Sequence, residues 1–289
     1  MQDSSSDGPF DRALRRLRRD RAARADPDGR WLQAHLAEEL AERLAMVTRP
    51  FARALDLGCG DGALARHLRE RGIETVSADA GAAFAAAADG VQCDEDRLPF
   101  ADRAFDLVVS AGVLDGVNDL PGALTLIRRV LKPDGLFLAA FVGAGSLPAL
   151  RAAMHAADEA EGGGASPRIH PQIDVRAAGD LLGRAGFALP VADCERLTAR
   201  YAMLPGLIRD LRAMAGTNLL ATRARRPIGR IGLAAAIADF AGRADADGKT
   251  AERFEIVHLS GWAPGPDQPR PASRGSATAS LAEALKPKR

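Results

Sequence analysis

The segment that most constrains the fold is residues 56–62, Asp-Leu-Gly-Cys-Gly-Asp-Gly, which follows a short apolar run. Three glycines in five residues permit a sharp turn and a close approach of the backbone to a ligand. The helix that follows would present free N–H groups and a positive dipole end to an anion. The segment therefore predicts a strand, a ligand-binding turn and a helix. The spacing of Gly58, Gly60 and Ala63 also fits a dinucleotide-binding turn.

Short apolar runs alternate with helical segments of about ten residues on both sides of this turn, which predicts βαβ units and a parallel sheet. The segment 253–262, RFEIVHLSGW, alternates and is predicted to be a late strand. We expect the domain boundaries to be a disordered N-terminus over 1–9, a helical extension over 10–50, a ligand-binding domain over 51–262 with a helical cap insert over 144–220, and an extended or disordered tail over 263–289.

Composition excludes several classes of protein. The formal net charge is +1, so no overall field attracts nucleic acid. No apolar run approaches the roughly 20 residues of a membrane span. Three scattered cysteines and a polar, acidic start without an apolar segment suit a reducing cytoplasm, which we take as the expected location. The histidines and cysteines show no metal-ligand spacing, so no metal site is expected.

The arginine-rich segment 10–25 has Phe10, Leu14 and Leu17 at helical spacing. One interpretation is a solvated amphipathic helix packed on the body of the protein. The other is a docking helix for an acidic or nucleic-acid partner. The first is favoured, because two aspartates dilute the positive charge and the rest of the chain is neutral.

Acidic residues lie at or near the carboxyl ends of three successive predicted strands. Asp56 stands beside the glycine turn, where a carboxylate repels a pyrophosphate and attracts an amino group. Asp79 ends the second strand, where it can accept hydrogen bonds from ribose hydroxyls. Asp94, followed by Glu95, ends the third strand, where it can accept from an adenine amino group. An amino acid, a ribose and an adenine in this order indicate S-adenosylmethionine (SAM).

These motifs together resemble the class I SAM-dependent methyltransferases. The resemblance implies an α/β fold with a Rossmann-like sheet of seven strands, one of them antiparallel, in which RFEIVHLSGW would be the antiparallel strand. The motifs that carry it are DLGCGDG at 56–62, Asp79, CDEDRLPF at 93–100, FDLVVS at 105–110 and LKPDG at 131–135. The residues expected to bind SAM are Asp56, Gly58, Cys59, Gly60, Asp61, Gly62, Asp79, Asp94, Glu95 and Ser110.

A narrower resemblance, from about Phe10 to Leu285, is to the mitochondrial complex I assembly factor 5 subfamily and its bacterial relatives; the core is more distantly similar to malonyl-carrier-protein methyltransferases. The resemblance to the assembly factor 5 subfamily rests on segments 10–16, 117–124, 183–187, 201–218, 254–264 and 270–277. The assembly factors are protein-arginine hydroxylases, so the resemblance implies a complex I iron–sulfur subunit as a candidate partner. The sequence departs from the relatives at 114–116, Leu-Asp-Gly, where they commonly carry an aromatic residue.

The residues expected to face an acceptor are Leu114 and Asp115 in this loop, His170 in the insert and Tyr201, the only tyrosine. For His170 and Tyr201, an ordinary structural role is the favoured interpretation. Three functions remain open. The first is a SAM-dependent methyltransferase whose acceptor is a small molecule, a carrier-bound group or a protein. The second is an arginine hydroxylase of an assembling respiratory complex. The third is a non-catalytic chaperone that binds SAM. No iron-ligand triad or flavin motif is visible in the sequence, so hydroxylation is implied by resemblance alone.

Overall fold

The computed structural model describes residues 8–162, 164, 166–266 and 268 of the 289-residue chain. Its centre is a seven-stranded sheet in the order β3-β2-β1-β4-β5-β7-β6. The strands are β1 Arg53–Leu57, β2 Glu74–Asp79, β3 Val91–Gln92, β4 Phe105–Ala111, β5 Leu131–Val142, β6 Ala188–Tyr201 and β7 Thr250–Trp262. The helices are α1 Arg12–Ala23, α2 Trp31–Ala45, α3 Ala63–Glu70, α4 Ala82–Ala87, α5 Leu120–Val130, α6 Pro148–Ala160, α7 Val175–Arg184, α8 Leu204–Ala213 and α9 Arg230–Ala241.

The first five strands run parallel, and β7 runs antiparallel to its neighbours β5 and β6. The fold class inferred from the sequence is confirmed, including the antiparallel role of RFEIVHLSGW. Because β1 lies between β2 and β4, the chain crosses to the other side of the sheet after β3. This reversal opens a crevice at the carboxyl ends of β1 and β4, which is where ligands bind in open α/β sheets.

The insert 144–220 is only partly helical. It holds α6, α7 and α8, but residues 188–201 form the long edge strand β6, which pairs with β7 along most of its length. The alternation of partly buried and exposed positions along β6 is the strand signal, and its many alanines and charged residues obscure it. The sequence Lys-Pro-Asp-Gly at 132–135 is typical of a turn that ends a helix, but the structure differs. The segment lies inside β5, where Asp134 takes a left-handed φ of 60° and the pairing with β4 shifts register.

Two apolar cores lie on the sheet. One packs α2, α6 and α8 against it and is centred on leucines such as Leu36 and Leu207. The other packs α5 and α7 on the sheet around Phe137 and Phe187, whose rings stack with centroids 5.5 Å apart. α2 therefore packs on the body of the protein through its apolar face.

The ends of the chain lie largely outside the described residues. Of the segment 1–9, Pro9 accepts a backbone hydrogen bond from Ala221 (2.9 Å), and Phe10 bridges to Leu220. Of the tail, Ala263 donates a backbone hydrogen bond to Gly135 (2.8 Å). Among the described helices, none has the length and apolar character needed to cross a membrane.

Phe137 tests the second core. Its side chain is fully buried, so the Phe137→Ala variant should lower the free energy of unfolding by about 3–5 kcal/mol. Urea denaturation measures the loss. The matched control is Ile231→Ala on the exposed face of α9, which should change stability by no more than about 0.5 kcal/mol. Equal effects in the two variants would contradict this description of the core.

Candidate cofactor and acceptor site

The glycine turn joins β1 to α3, as predicted. Gly58, Gly60 and Gly62 all take positive φ angles, of 81°, 53° and 74°. A Cβ on Gly58 would lie 2.3 Å from Cγ2 of Val113, so no other residue fits there. A Cβ on Gly60 would meet nothing within 4 Å. The turn therefore keeps an open face of bare backbone towards the crevice.

Asp56 lies at the base of this turn and is almost completely buried. Its Oδ2 has no hydrogen-bond partner among the described residues. Burial, assisted by the negative charge of Asp79, raises the pKa of Asp56 to about 7. The hydroxyl of Ser110, fully buried at the end of β4, is likewise without a partner in the described structure. An unsatisfied buried carboxylate is costly, so both groups indicate a polar ligand in the crevice.

Asp79 is also fully buried, but its oxygens are fully engaged. The N–H groups of Gly60 and Gly81 donate to it at 3.1 and 2.7 Å. Arg19 of α1 donates to the same carboxylate through Nε (2.6 Å to Oδ1) and Nη2. The carboxylate predicted to hold a ribose is thus paired with a buried arginine from the N-terminal helix.

The same helix covers the next acidic residues. Arg15 forms a bidentate, buried pair with Glu95 (2.6 and 2.8 Å), and Arg16 donates to Asp94 (2.5 Å). One face of α1, Arg12, Arg15, Arg16 and Arg19, contacts four acids, Asp96, Glu95, Asp94 and Asp79. We call these eight residues the arginine–acid row. α1 is thus a packed amphipathic helix, and the acidic groups that face its arginines belong to its own chain.

An apolar cavity of about 240 Å³ adjoins this crevice, and we call it the acceptor cavity. Its walls come from α2, α6, α8 and β7 and from residues after β4 and β5. They include Leu32, Leu36, Leu147, Leu150, Met154, Ile208, Leu211 and Phe254. Gln33 and Met214 line both the acceptor cavity and a smaller cleft of about 40 Å³ at the glycine turn. The two spaces therefore share a wall.

Asp115 is one of the two predicted acceptor-side residues that line the acceptor cavity. It lies in the short turn Leu114–Gly116 after β4. Loss of solvation raises its pKa to about 6, although its own backbone N–H and the charges of Arg15 and Arg19 act in the opposite direction. The carboxylate is therefore ionised at neutral pH, beside apolar walls.

The other predicted acceptor-side residues occupy different environments. Leu114 is buried in the core that contains Phe137. Tyr201 is buried in the other core and is not among the residues that line the acceptor cavity. His170 does line it, but its Nε2 already accepts a hydrogen bond from the N–H of Leu219 (2.7 Å), and its ring packs edge-on against Phe10. Burial lowers the pKa of His170 to about 4, so the ring is neutral.

Two predicted cofactor residues of the turn also have defined surroundings. Cys59 is buried, and burial raises the pKa of its thiol, so it is not a thiolate nucleophile. Asp61 is exposed, and its Oδ1 accepts from the N–H of Ala63 (3.2 Å). Sequence reasoning did not identify the pairing of Arg19 with Asp79 or the position of Gln33 between the two spaces. The spacing of arginines at 12, 15, 16 and 19 on one helix face was the available signal.

Comparison with known proteins agrees with this geometry. A family model described as "Methyltransferase domain" matches residues 55–139. The mitochondrial arginine-hydroxylase NDUFAF5 of Mus musculus is 37% identical over 288 residues, which cover 96% of this chain and 84% of the relative. The human protein of that name is 37% identical over 284 residues, covering 95% and 82%.

A malonyl-[acyl-carrier protein] O-methyltransferase of Laribacter hongkongensis is 32% identical over 265 residues, covering 85% of this chain and 87% of the relative. The solved structure of the Bacillus halodurans protein BH2331 shares the fold, with a TM-score of 0.53, 17% identity and coverage of 79% of this chain and 98% of that one. The chain therefore belongs to the class I SAM-dependent methyltransferase family, is related to the NDUFAF5 arginine hydroxylases, and has SAM as its cofactor.

Proposed function

We propose that this protein uses the glycine-turn crevice to bind SAM and the acceptor cavity to modify an arginine side chain of a partner protein. The observation that carries the proposal is the acceptor cavity, in which one ionised carboxylate, Asp115, stands beside long apolar walls next to the cofactor crevice. An arginine side chain combines an apolar stem with a cationic planar end. It therefore matches this combination of surfaces.

The cofactor crevice supplies a partner for each part of SAM. The unpaired Oδ2 of Asp56 accepts from an ammonium group, and the open backbone of Gly60 leaves room for the methionine part. Asp79 accepts from the ribose hydroxyls and Asp94 from the adenine amino group. When bound, SAM supplies an electrophilic methyl group, and the chain positions the acceptor in line with it.

Binding the adenosine part requires α1 to move. Arg19 and Arg16 occupy the carboxylate oxygens that the ribose and adenine would use. The cleft of about 40 Å³ at the glycine turn is also far below the roughly 300 Å³ at which cofactor pockets begin. SAM therefore competes with the arginines of α1 for the acidic residues of the crevice.

The charges that line the acceptor cavity favour a cation over an anion. Asp115 is negative at neutral pH and His170 is neutral. Arg168 lines the cavity too, but its guanidinium is paired with Asp158. A carboxylate acceptor, such as the malonyl group named in one set of relatives, would be repelled by the negative charge of Asp115. None of these lining residues offers it an unpaired cation in return. A guanidinium would gain a charge-assisted hydrogen bond there.

Hydroxylation of the arginine is the second candidate reaction. It is favoured by the full-length similarity to proteins named arginine-hydroxylase. That reaction places one oxygen atom of O₂ on the side chain, and two electrons from an external reductant with two protons convert the other oxygen atom to water. Asp115 would orient the guanidinium in either reaction. The partner that the resemblance points to is the iron–sulfur subunit of respiratory complex I.

Mass spectrometry of that subunit, isolated from cells with and without this protein, tests the proposal. An arginine that loses a methyl mass in the deletion strain indicates methyl transfer, and one that loses an oxygen mass indicates hydroxylation. The deletion strain complemented with the Asp115→Asn variant distinguishes catalysis by this protein from an effect of its presence alone. If arginines of the subunit are identical in all strains, the proposed acceptor is wrong.

Asp79 is predicted to be required for SAM binding. The Asp79→Asn variant should bind SAM about 10- to 100-fold more weakly in calorimetry, because a hydrogen bond to a charged group contributes about 1.5–3 kcal/mol. Asp102→Asn, on the exposed surface, is the control. Circular dichroism should show both variants folded. A folded Asp79→Asn protein with unchanged affinity would refute the assignment.

Removing an arginine that competes with SAM should have the opposite effect. The side chain of Arg16 is 44% exposed, and exposed pairs are worth up to about 1 kcal/mol. The Arg16→Gln variant should therefore bind SAM about two- to fivefold more tightly. Arg21→Gln, at an exposed position of the same helix, should leave the affinity unchanged. If Arg16→Gln binds SAM more weakly than the wild type and Arg21→Gln does not, Arg16 assists cofactor binding instead.

The acceptor step should depend on pH through Asp115. Its pKa is raised to about 6, so the carboxylate is present above that pH and lost below it. The value of kcat/KM for an arginine-containing peptide should rise with pH up to about 6 and then level off. In Asp115→Asn the rate should be low and this inflection absent. Asp119→Asn, exposed in the same loop, should keep the wild-type profile.

A further inference from the structure

A second cluster of chemically active side chains lies between α2 and the sheet, among residues that the proposed function does not use. His35 and Glu39 stand one turn apart on α2, and Glu195 projects from β6. Ligand atoms of these three residues all lie within 4.8 Å of one another. Nε2 of His35 is 3.4 Å from Oε2 of Glu195.

His258 of β7 adds a fourth side chain to this cluster. It is 1% exposed, yet neither of its ring nitrogens has a hydrogen-bond partner in the described part of the chain. Its Nε2 is directed at the cluster, 3.4 Å from the same Oε2 of Glu195. A buried imidazole with both nitrogens unsatisfied is rare in folded proteins, so the arrangement calls for a further partner.

The distances identify the kind of partner. Hydrogen bonds between nitrogen and oxygen are usually about 2.7–3.2 Å long, so both 3.4 Å contacts with Glu195 are long ones. Ligand atoms about 2.0–2.1 Å from a tetrahedral zinc ion are about 3.3–3.4 Å apart. We propose that His35, Glu39 and Glu195 bind a zinc ion, and that His258, which lies beside Glu195 but outside this group of three, supplies the fourth ligand when the side chains close around the ion.

The surrounding charges suit a divalent cation. The nearby cation Arg43 is neutralised by a bidentate pair with Asp193 (2.7 and 2.8 Å). Glu39 and Glu195 together balance the charge of Zn²⁺.

The site has the character of a structural site. With His258 as the fourth ligand, two nitrogen and two oxygen atoms would fill a tetrahedral site and leave no position for a substrate. The ion would fasten α2 to the edge strand β6 and to its neighbour β7. His35 is adjacent to Leu36, which lines the acceptor cavity, so the ion would also hold this wall in place.

Zinc titration of the full-length protein tests the site. After treatment with a chelator and dialysis, the protein is titrated with Zn²⁺ in competition with a chromophoric chelator, and separately with Co²⁺ while visible absorption is recorded. We expect one ion per chain, a tetrahedral Co²⁺ spectrum, and a higher melting temperature with Zn²⁺.

Substitutions of the partly exposed ligands should leave the protein folded, so a loss of Zn²⁺ binding can be distinguished from unfolding. His35→Gln and Glu195→Gln should each weaken Zn²⁺ binding at least about tenfold, since even outer-shell partners of a metal contribute about 10- to 100-fold. His155→Gln changes an exposed histidine elsewhere and should bind as the wild type does. No binding by the wild type, or binding that His35→Gln and Glu195→Gln leave unchanged, would overturn the proposal.

Discussion

The arginine–acid row is the interaction on which the site depends. Parallel strands deliver Asp79, Asp94 and Glu95 to one edge of the sheet, where carboxylates with little exposure to water would repel one another. Buried charges are tolerated when they are paired and hydrogen-bonded. Arg15, Arg16 and Arg19 supply those pairs from a single helix. In the binding mode that we propose, the acids that recognise SAM are thus kept close together before the cofactor binds, and the cost of binding includes their release from the arginines.

Helix α2 connects the two spaces of the site. Gln33 separates the glycine-turn cleft from the acceptor cavity, and Leu36 lines that cavity one helical turn away. On the same helix, His35 faces the sheet edge at Glu195. A small shift of α2 would therefore change the acceptor cavity and the cofactor cleft together. This geometry explains why a fixed attachment of α2 to β6 and β7 matters for a site whose chemistry depends on positioning.

Local patterns in the sequence were sufficient for the glycine turn, the α/β order and the presence of strand β7, whereas the antiparallel direction of β7 was implied by the resemblance to the methyltransferase family. Asp79 could be placed at the end of β2 because strand and turn signals are local. The position of β6 could not be predicted in this way. Its partly buried and exposed residues alternate, but they include alanines and charged residues that suit a helix equally well. The pairings of α1 with the acids join residues 60–84 positions apart, and those of His35 with Glu195 join residues 160 apart. Such contacts are created only when the sheet assembles, so the spacing of the arginines on one face of α1 indicates a charged face but not which acids it pairs with.

Hydrogen–deuterium exchange with and without SAM tests most directly whether the cofactor and α1 compete for the same carboxylates. If they compete, saturating SAM should accelerate exchange of the amides of α1, residues 12–23, while slowing exchange at the glycine turn, residues 58–62. α2 should change little, because its apolar face remains packed on the sheet. Protection of α1 that is unchanged or increased by SAM, together with slower exchange at the turn, would contradict the competition and show that the arginines remain in place over the bound cofactor.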